Sequence, residues 1–135
     1  MIVKDSSQNF LGITENDLFE YKTSKCIIQQ LPYERTSSYK KGSDKGPEAI
    51  LYNSHFVEYY DPELDAEAYK KCGIASLEPT DLQGNVDEDA MNIIHQETTK
   101  HLSNEKFLVS LGAEHTVSYG IFKAFKEISS EEADR

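Results

Sequence analysis

The sequence predicts an α/β fold in which helices cover both faces of a parallel sheet, and three observations support this. The segments 25–31 and 106–111 are nearly continuous apolar runs, as in strands buried on both faces. Segments with helical apolar spacing alternate with them. The 135 residues suit one domain or part of one. Two or three strands are fewer than a complete doubly wound sheet contains, so the chain resembles the first half of a larger unit.

The first third of the chain contains one predicted strand between polar segments. Residues 1–24 are polar and irregular, which predicts an N-terminal arm. The strand at 25–31 ends at Pro32, because proline cannot donate to a strand ladder. Residues 33–46 are polar, contain two glycines and show no periodicity, so we expect a loop.

A helix is expected next, over residues 47–59. Pro47 suits its first turn, where the missing N–H has no partner in any case. The helix should end at Asp61, because the residue before a proline avoids the α region. Residues 66–77 could then form a hairpin around their single glycine.

The last half of the chain has the clearest pattern. A loop at 78–86 precedes a helix predicted over 87–102, which its first residue, an aspartate, would cap. The strand at 106–111 ends in a tight turn, and a helix over 117–128 follows with an apolar stripe at helical spacing. Strand, turn and helix in this order are typical of a βα unit.

The composition excludes several classes of protein. The net charge is −10 without a basic stripe, which disfavours nucleic acid and anionic membranes as partners. No apolar run approaches the roughly 18 residues of a membrane span, and the N-terminus does not resemble a secretory signal. Cys26 and Cys72 are far apart in sequence, and we expect two reduced thiols. These features predict a cytoplasmic protein.

Several short motifs fail their tests. The segment that begins at Asp61 resembles a calcium loop, but Ala66 stands where that loop needs glycine and Cys72 where it needs glutamate. Gly42 and Gly46 are not followed by the Lys-Ser/Thr pair of a phosphate-binding loop. Many serines are present, but nothing places one beside a base, so a catalytic triad has no support.

Of the four histidines, only His115 lies where an α/β fold binds ligands, outside the carboxyl end of a strand. A lone loop histidine is nevertheless more often a capping or packing residue than a metal ligand. His95 and His101 point roughly 120° apart on one helix and share no ligand face. His55 could pair with Glu58 on the surface of another helix.

Four segments, in order, resemble the N-terminal half of the ureohydrolase family, which includes arginases and agmatinases. Residues 26–34 end in the family's strand-Pro-Tyr-Glu pattern, and residues 38–50 match S-Y-x-x-G-x-x-x-G-P-x-A-I. Residues 57–65 are similar to agmatinases in particular. Residues 109–120 contain G-A-E-H-T, similar to the signature G-G-[ED]-H-[ST]. The second and fourth segments together are specific, whereas either alone would be weak.

This resemblance implies an arginase-like fold, a three-layer parallel sheet with helices on both faces, present here as its N-terminal portion. It also implies that His115 is a ligand of one of two Mn²⁺ ions, which outweighs the default reading of a loop histidine. No catalytic or cofactor-binding residue other than this ligand is implied. Ala113 replaces the second glycine of the signature, which puts the turn geometry in doubt but not the ligation.

The family's D-x-H-x-D motif does not occur in the sequence, and no D-x-D segment follows the G-A-E-H-T signature, where the family has its own. We therefore expect residues 1–135 to be the N-terminal part of a single ureohydrolase domain, with 1–24 as its arm. One hypothesis is an agmatinase-like enzyme, a homo-oligomer when full length, in which a manganese-bridged hydroxide cleaves agmatine to urea and putrescine. Arginine, guanidinobutyrate and formiminoglutamate stay open as substrates. The alternative is a non-catalytic half-domain that binds a full-length partner.

Overall fold

The computed structural model describes residues 2–133 and contains a three-stranded parallel sheet in the order β2-β1-β3. Strand β1 spans Cys26–Leu31, β2 spans Ile74–Ser76 and β3 spans Phe107–Gly112. The predicted α/β fold with a parallel sheet is confirmed. Both strands predicted from apolar runs lie within one residue of their expected bounds.

Strand β1 is the centre of the sheet. Cys26 pairs with Ile74 on one side and with Phe107 on the other. The pairing with β3 continues along the whole strand to Leu31, which faces Gly112. A strand with neighbours on both edges and helices on both faces has no exposed side, and five of the six residues of β1 are buried.

Two long helices cover one face of the sheet, α4 (Glu88–Ser103) and α5 (Val117–Ala133). The side chain of Gln29 on β1 shows which face this is, because its Nε2 donates to Thr98 Oγ1 of α4 at 3.1 Å. The core between sheet and helices contains Leu31, Met91, Ile94 and Val117. The apolar stripe predicted on the last helix therefore packs as expected at its start.

The opposite face is covered by a short helix and by the N-terminal segment. Helix α2 (Gly46–Ser54) and the 3₁₀ turn Phe10–Gly12 are joined by a hydrogen bond from the Leu11 amide to Ser54 Oγ at 2.8 Å. The Phe10 amide donates to Ser76 Oγ on β2 at 2.9 Å. Together with helix α1 (Asn16–Phe19), these elements place residues 2–24 against the sheet.

Two local predictions need correction. The helix expected over 47–59 ends at Ser54, and turns occupy the residues before Asp61. The hairpin expected over 66–77 is wrong, because helix α3 (Tyr69–Cys72) is followed by β2, which pairs in parallel with β1. Gly73 separates these two elements with φ +62°, a conformation that glycine adopts without strain.

Glycine also allows α4 and α5 to approach closely. A Cβ at Gly120 would lie 2.7 Å from the backbone oxygen of Met91 and 3.0 Å from the side chain of Ile94. A Cβ essentially never lies as close as 2.7 Å to a backbone oxygen, so the two helices would have to separate. The missing side chain thus determines how the helical layer packs.

The two outer edges of the sheet differ. Beside β2, Val3 forms an antiparallel bridge with Leu77, so the N-terminal segment covers that edge. Within residues 2–133, no strand pairs with the outer edge of β3. On the neighbouring helix α5, Phe122 is 71% exposed and Phe125 45% exposed. Residues 2–133 therefore present both an unpaired strand edge and exposed aromatic side chains.

No helix within residues 2–133 is both long and apolar enough to cross a membrane. Cys26 and Cys72 are both free thiols. Burial, and to a smaller extent the neighbouring Cys72, raise the pKa of the Cys26 thiol above its usual value. The Cys26 thiol is therefore a packed side chain with little thiolate character.

Candidate functional site

The candidate site lies at the carboxyl edge of the sheet, where β1 and β3 end side by side at Leu31 and Gly112. A loop, 33–45, follows β1, and a turn, 113–116, follows β3. His115 lies in this turn with its side chain exposed, and its imidazole makes no hydrogen bond to any residue in 2–133. Sequence reasoning therefore predicted its position correctly, and the ring is free to bind a ligand.

The turn that carries His115 begins with a glycine for a steric reason. A Cβ at Gly112 would lie 2.5 Å from Cγ2 of Val117, which is the first residue of α5. Ala113 is not among the residues with positive φ, so its methyl group fits the turn without backbone strain. The replacement of the signature's second glycine therefore leaves the turn intact.

Glu114, beside His115, is turned toward the loop after β1. Its Oε1 accepts the amide N–H groups of Arg35 and Thr36 at 2.6 Å and of Ser37 at 2.9 Å, and its Oε2 accepts the Thr36 hydroxyl at 2.8 Å. Partial burial opposes ionisation of this carboxyl, but the hydrogen bonds outweigh it and lower the pKa of Glu114. The carboxylate therefore holds the loop.

Glu34 closes the other end of the same loop. Its Oε2 accepts the Gly42 amide at 2.8 Å, and its Oε1 accepts the Ser43 hydroxyl at 2.8 Å and the Ser43 amide at 3.3 Å. The hydrogen bond from the Gly42 amide contributes most to a lowering of the pKa of Glu34 to about 2. Two ionised carboxylates, Glu34 and Glu114, thus fix the shape of the polar loop.

The low pKa of Glu34 predicts an acid-dependent loosening of this loop. Because the folded-state pKa of about 2 lies below the 4.5 of an unperturbed glutamate, Glu34 favours the closed loop fully above pH 4.5. That contribution is lost as the pH falls toward 2. We expect the amide resonances of Gly42 and Ser43 to titrate in this range by NMR. In Glu34→Gln the two amide resonances should show no titration in this pH range. If they titrated as in the unchanged chain, Glu34 would not be the group responsible.

An ion pair links the loop to the start of α4. Arg35 Nη1 lies 2.6 Å from Asp87 Oδ2, and the Asp87 amide donates to Tyr33 Oη at 3.0 Å. Asp87 precedes α4 with φ +50°, a conformation that is rare for a residue other than glycine. These contacts line one side of a 590 Å³ groove that Pro32, Leu82 and neighbouring residues complete.

His115 itself borders two smaller grooves. One, of 470 Å³, lies between the first turns of α4 and α5 and is lined by Glu88, Asn92 and Tyr119. The other, of 290 Å³, lies at the end of β3 and includes Glu114 and Ser110. The His115 imidazole therefore lies at the carboxyl edge of the sheet, beside two grooves that have room for a ligand.

The remaining histidines have structural partners. His55 Nε2 donates to the Asn9 carbonyl at 2.7 Å, which is a different contact from the surface pair with Glu58 that the sequence suggested. His95 Nε2 lies 2.6 Å from a carboxylate of Glu127 and joins α4 to α5. His101 is buried with its Nδ1 3.0 Å from Tyr21 Oη, and burial lowers the pKa of the His101 ring.

Metal binding by this part of the chain alone is not supported. Among residues 2–133, no three His, Cys, Asp or Glu side chains are close enough together to hold an ion. A binuclear centre requires several ligands around two cations, so His115 could contribute one ligand and the others would have to come from elsewhere. Sequence reasoning missed the roles of Glu34 and Glu114. Their positions shortly after β1 and β3 were the available signal, because parallel strands end at one edge.

The model of the arginase family matches residues 24–133, which include all three strands and His115. The chain belongs to the arginase family. The ureohydrolase resemblance of the sequence is thereby confirmed. The family match begins just before β1 and extends through α5, so the two carboxylates that hold the loop lie inside it.

Relatives in this family are enzymes that act on agmatine or its derivatives, according to their names. An N(1)-aminopropylagmatine ureohydrolase of Thermus thermophilus is 33% identical over 111 residues, 82% of this chain and 38% of the relative. An agmatinase of Bacillus cereus is 36% identical over 108 residues, 77% of this chain and 36% of the relative. The chain thus spans less than two-fifths of the length of these two relatives.

Solved structures agree on the fold. An agmatine ureohydrolase of Thermoplasma volcanium superposes with a TM-score of 0.71 at 21% identity and covers 87% of this chain and 38% of that one. A hypothetical agmatinase from Burkholderia thailandensis gives a TM-score of 0.75 at 14% identity, with 90% of this chain and 38% of that one covered. The fold of this chain is therefore part of an arginase-like fold.

Proposed function

We propose that this chain supplies one edge of an agmatinase-like active site, which hydrolyses the guanidino C–N bond of agmatine or a related compound to urea and putrescine. The observation that carries the proposal is the free imidazole of His115 at the carboxyl end of β3, inside the segment that matches the arginase family. The names of the relatives support a guanidino substrate. The net charge of −10 favours a cationic one.

The proposal includes Mn²⁺ as the cofactor, with His115 as a ligand and carboxylates from outside residues 2–133 as its partners. When bound, the cations would lower the pKa of a water molecule at the substrate carbon. In this chain, the His115 ring would hold its metal, while Glu114 is engaged with the loop and unavailable as a ligand. Arginine, guanidinobutyrate and formiminoglutamate stay within the proposed substrate class.

We further propose that residues 1–135 form the N-terminal part of one ureohydrolase domain, active in the cytoplasm as a homo-oligomer. A second candidate function, binding to a full-length partner without catalysis, is favoured by one observation. The outer edge of β3 is unpaired within residues 2–133, and Phe122 on α5 is largely exposed. Such surfaces promote association with other chains.

A chimera tests the catalytic proposal. Residues 24–133 replace the matched segment of the Bacillus cereus agmatinase, and urea release is measured with manganese and agmatine. We expect the chimera to release urea from agmatine, and the isolated chain to release none above a metal blank, because His115 is the single proposed ligand in the described residues.

Two outcomes would contradict the proposal. Turnover by the isolated chain would show that the active site lies elsewhere. A chimera with the circular dichroism spectrum and gel-filtration volume of its parent, but without urea release from agmatine or arginine, would favour the binding function. The parent agmatinase, assayed in parallel, is the positive control.

A further inference from the structure

Glu114 joins two segments that are far apart in sequence. The amide groups that donate to its Oε1 lie between 77 and 79 positions before Glu114 in the chain. Three successive amide groups, of Arg35, Thr36 and Ser37, converge on one oxygen, and the Thr36 hydroxyl donates to the other. A carboxylate accepts at both oxygens, whereas a carboxamide of the same size accepts at only one and donates at the other.

This contact is part of a larger connection at the carboxyl edge. At its far end, the loop is closed by Glu34 through Gly42 and Ser43. Near its beginning, Arg35 reaches the residue before α4, Asp87. The loop after β1, the turn after β3 and the start of α4 are therefore held together chiefly by charged hydrogen bonds, which are stronger than neutral ones.

We propose that Glu114 is a positioning residue that ties the backbone of 35–37 to the turn carrying His115. It fixes the distance between the loop after β1 and the turn after β3, at the residue next to His115. The importance of that spacing for catalysis rests on the proposed function, but the tie itself does not. Glu114 acts through the loop and is assigned no contact with a metal or substrate.

The test is amide hydrogen exchange in the chain with Glu114→Gln. Glutamine keeps one acceptor oxygen but loses the negative charge, so the weakened hydrogen bonds should speed exchange at Arg35, Thr36 and Ser37 by about tenfold. Trypsin should also cut faster after Lys40 and Lys41, which lie in the same loop. Glu114→Asp keeps the carboxylate on a shorter side chain, and we expect it to restore most of the protection.

Glu34→Gln is the matched control. It should speed exchange at Gly42 and Ser43, whose amides donate to Glu34. The amides of 35–37 should stay protected, because they donate to Glu114. Thr36→Val removes one donor without changing a charge, and should produce a smaller increase at the same three amides. This variant keeps the proposal testable should Glu114→Gln not fold.

Three results would overturn the assignment. The first is unchanged exchange at 35–37 in both folded Glu114→Gln and Thr36→Val. The second is an equal acceleration of exchange throughout β1, which would indicate general destabilisation. The third is a folded Glu114→Asp variant in which the amides of 35–37 do not regain their protection. The chimera separates this proposal from the catalytic one. Faster exchange in Glu114→Gln together with an inactive chimera would support the tie and contradict the catalytic role. Unchanged exchange in Glu114→Gln together with an active chimera would contradict the tie alone.

Discussion

Replacing His115 by alanine in the agmatinase chimera is expected to lower kcat by about a hundredfold or more, because even changes to the partners of metal ligands cost about 10–100-fold. The His115 ring is proposed to bind a metal ion and not the substrate, so KM should change by much less. Elemental analysis should show less manganese per subunit, since the ring is proposed to bind one cation.

His95→Ala is the matched control for this experiment. It also removes an imidazole, but one that lies between α4 and α5 and contacts Glu127. We expect a modest loss of stability with unchanged metal content and near-normal turnover. Two manganese ions per subunit in His115→Ala would show that His115 is not a ligand, even if activity fell.

Gly120→Ala is expected to destabilise the isolated chain by about 1–3 kcal/mol, the usual cost of overpacking a close contact. The added Cβ would lie 2.7 Å from the backbone oxygen of Met91, which cannot move without shifting α4. Alanine gains about 1 kcal/mol over glycine in helix propensity, and the steric cost should exceed this gain. The free energy of unfolding from urea titrations, followed by circular dichroism, measures the difference.

Gly46→Ala provides the comparison at another helical glycine. Gly46 begins α2 with φ −56°, and a Cβ there would meet nothing within 4 Å. Its free energy of unfolding should stay the same or rise slightly. If both substitutions had equal effects, the close approach of α4 and α5 would not determine stability.

The sequence predicted those parts of the fold that local patterns determine. The apolar runs of β1 and β3 and the turn that follows Gly112 are continuous signals, so the position of His115 followed from them. Strand β2, Ile74–Ser76, lies in the second half of the hairpin expected over 66–77, but helix α3 occupies the place of its expected partner strand. Its pairing depends on contact with β1, which no short segment reveals.

The role of Glu114 was also beyond sequence reasoning. Its partners lie 77–79 residues earlier, and a glutamate beside a candidate ligand is more easily interpreted as a further acidic group of the site. The structure shows that this carboxylate faces the loop after β1. Such a contact becomes visible only when both strands have been placed side by side.

No strand within residues 2–133 pairs with the outer side of β3, so several partners can compete for that edge while the chain folds. Backbone groups along Phe107–Gly112 offer hydrogen bonds that water, another copy of the chain or a further strand of an arginase-like sheet can each satisfy. Encounters between copies become more frequent with concentration, whereas a strand tethered to the same polypeptide arrives at a fixed rate. The fate of each newly made molecule therefore depends on which of these neighbours reaches the edge first.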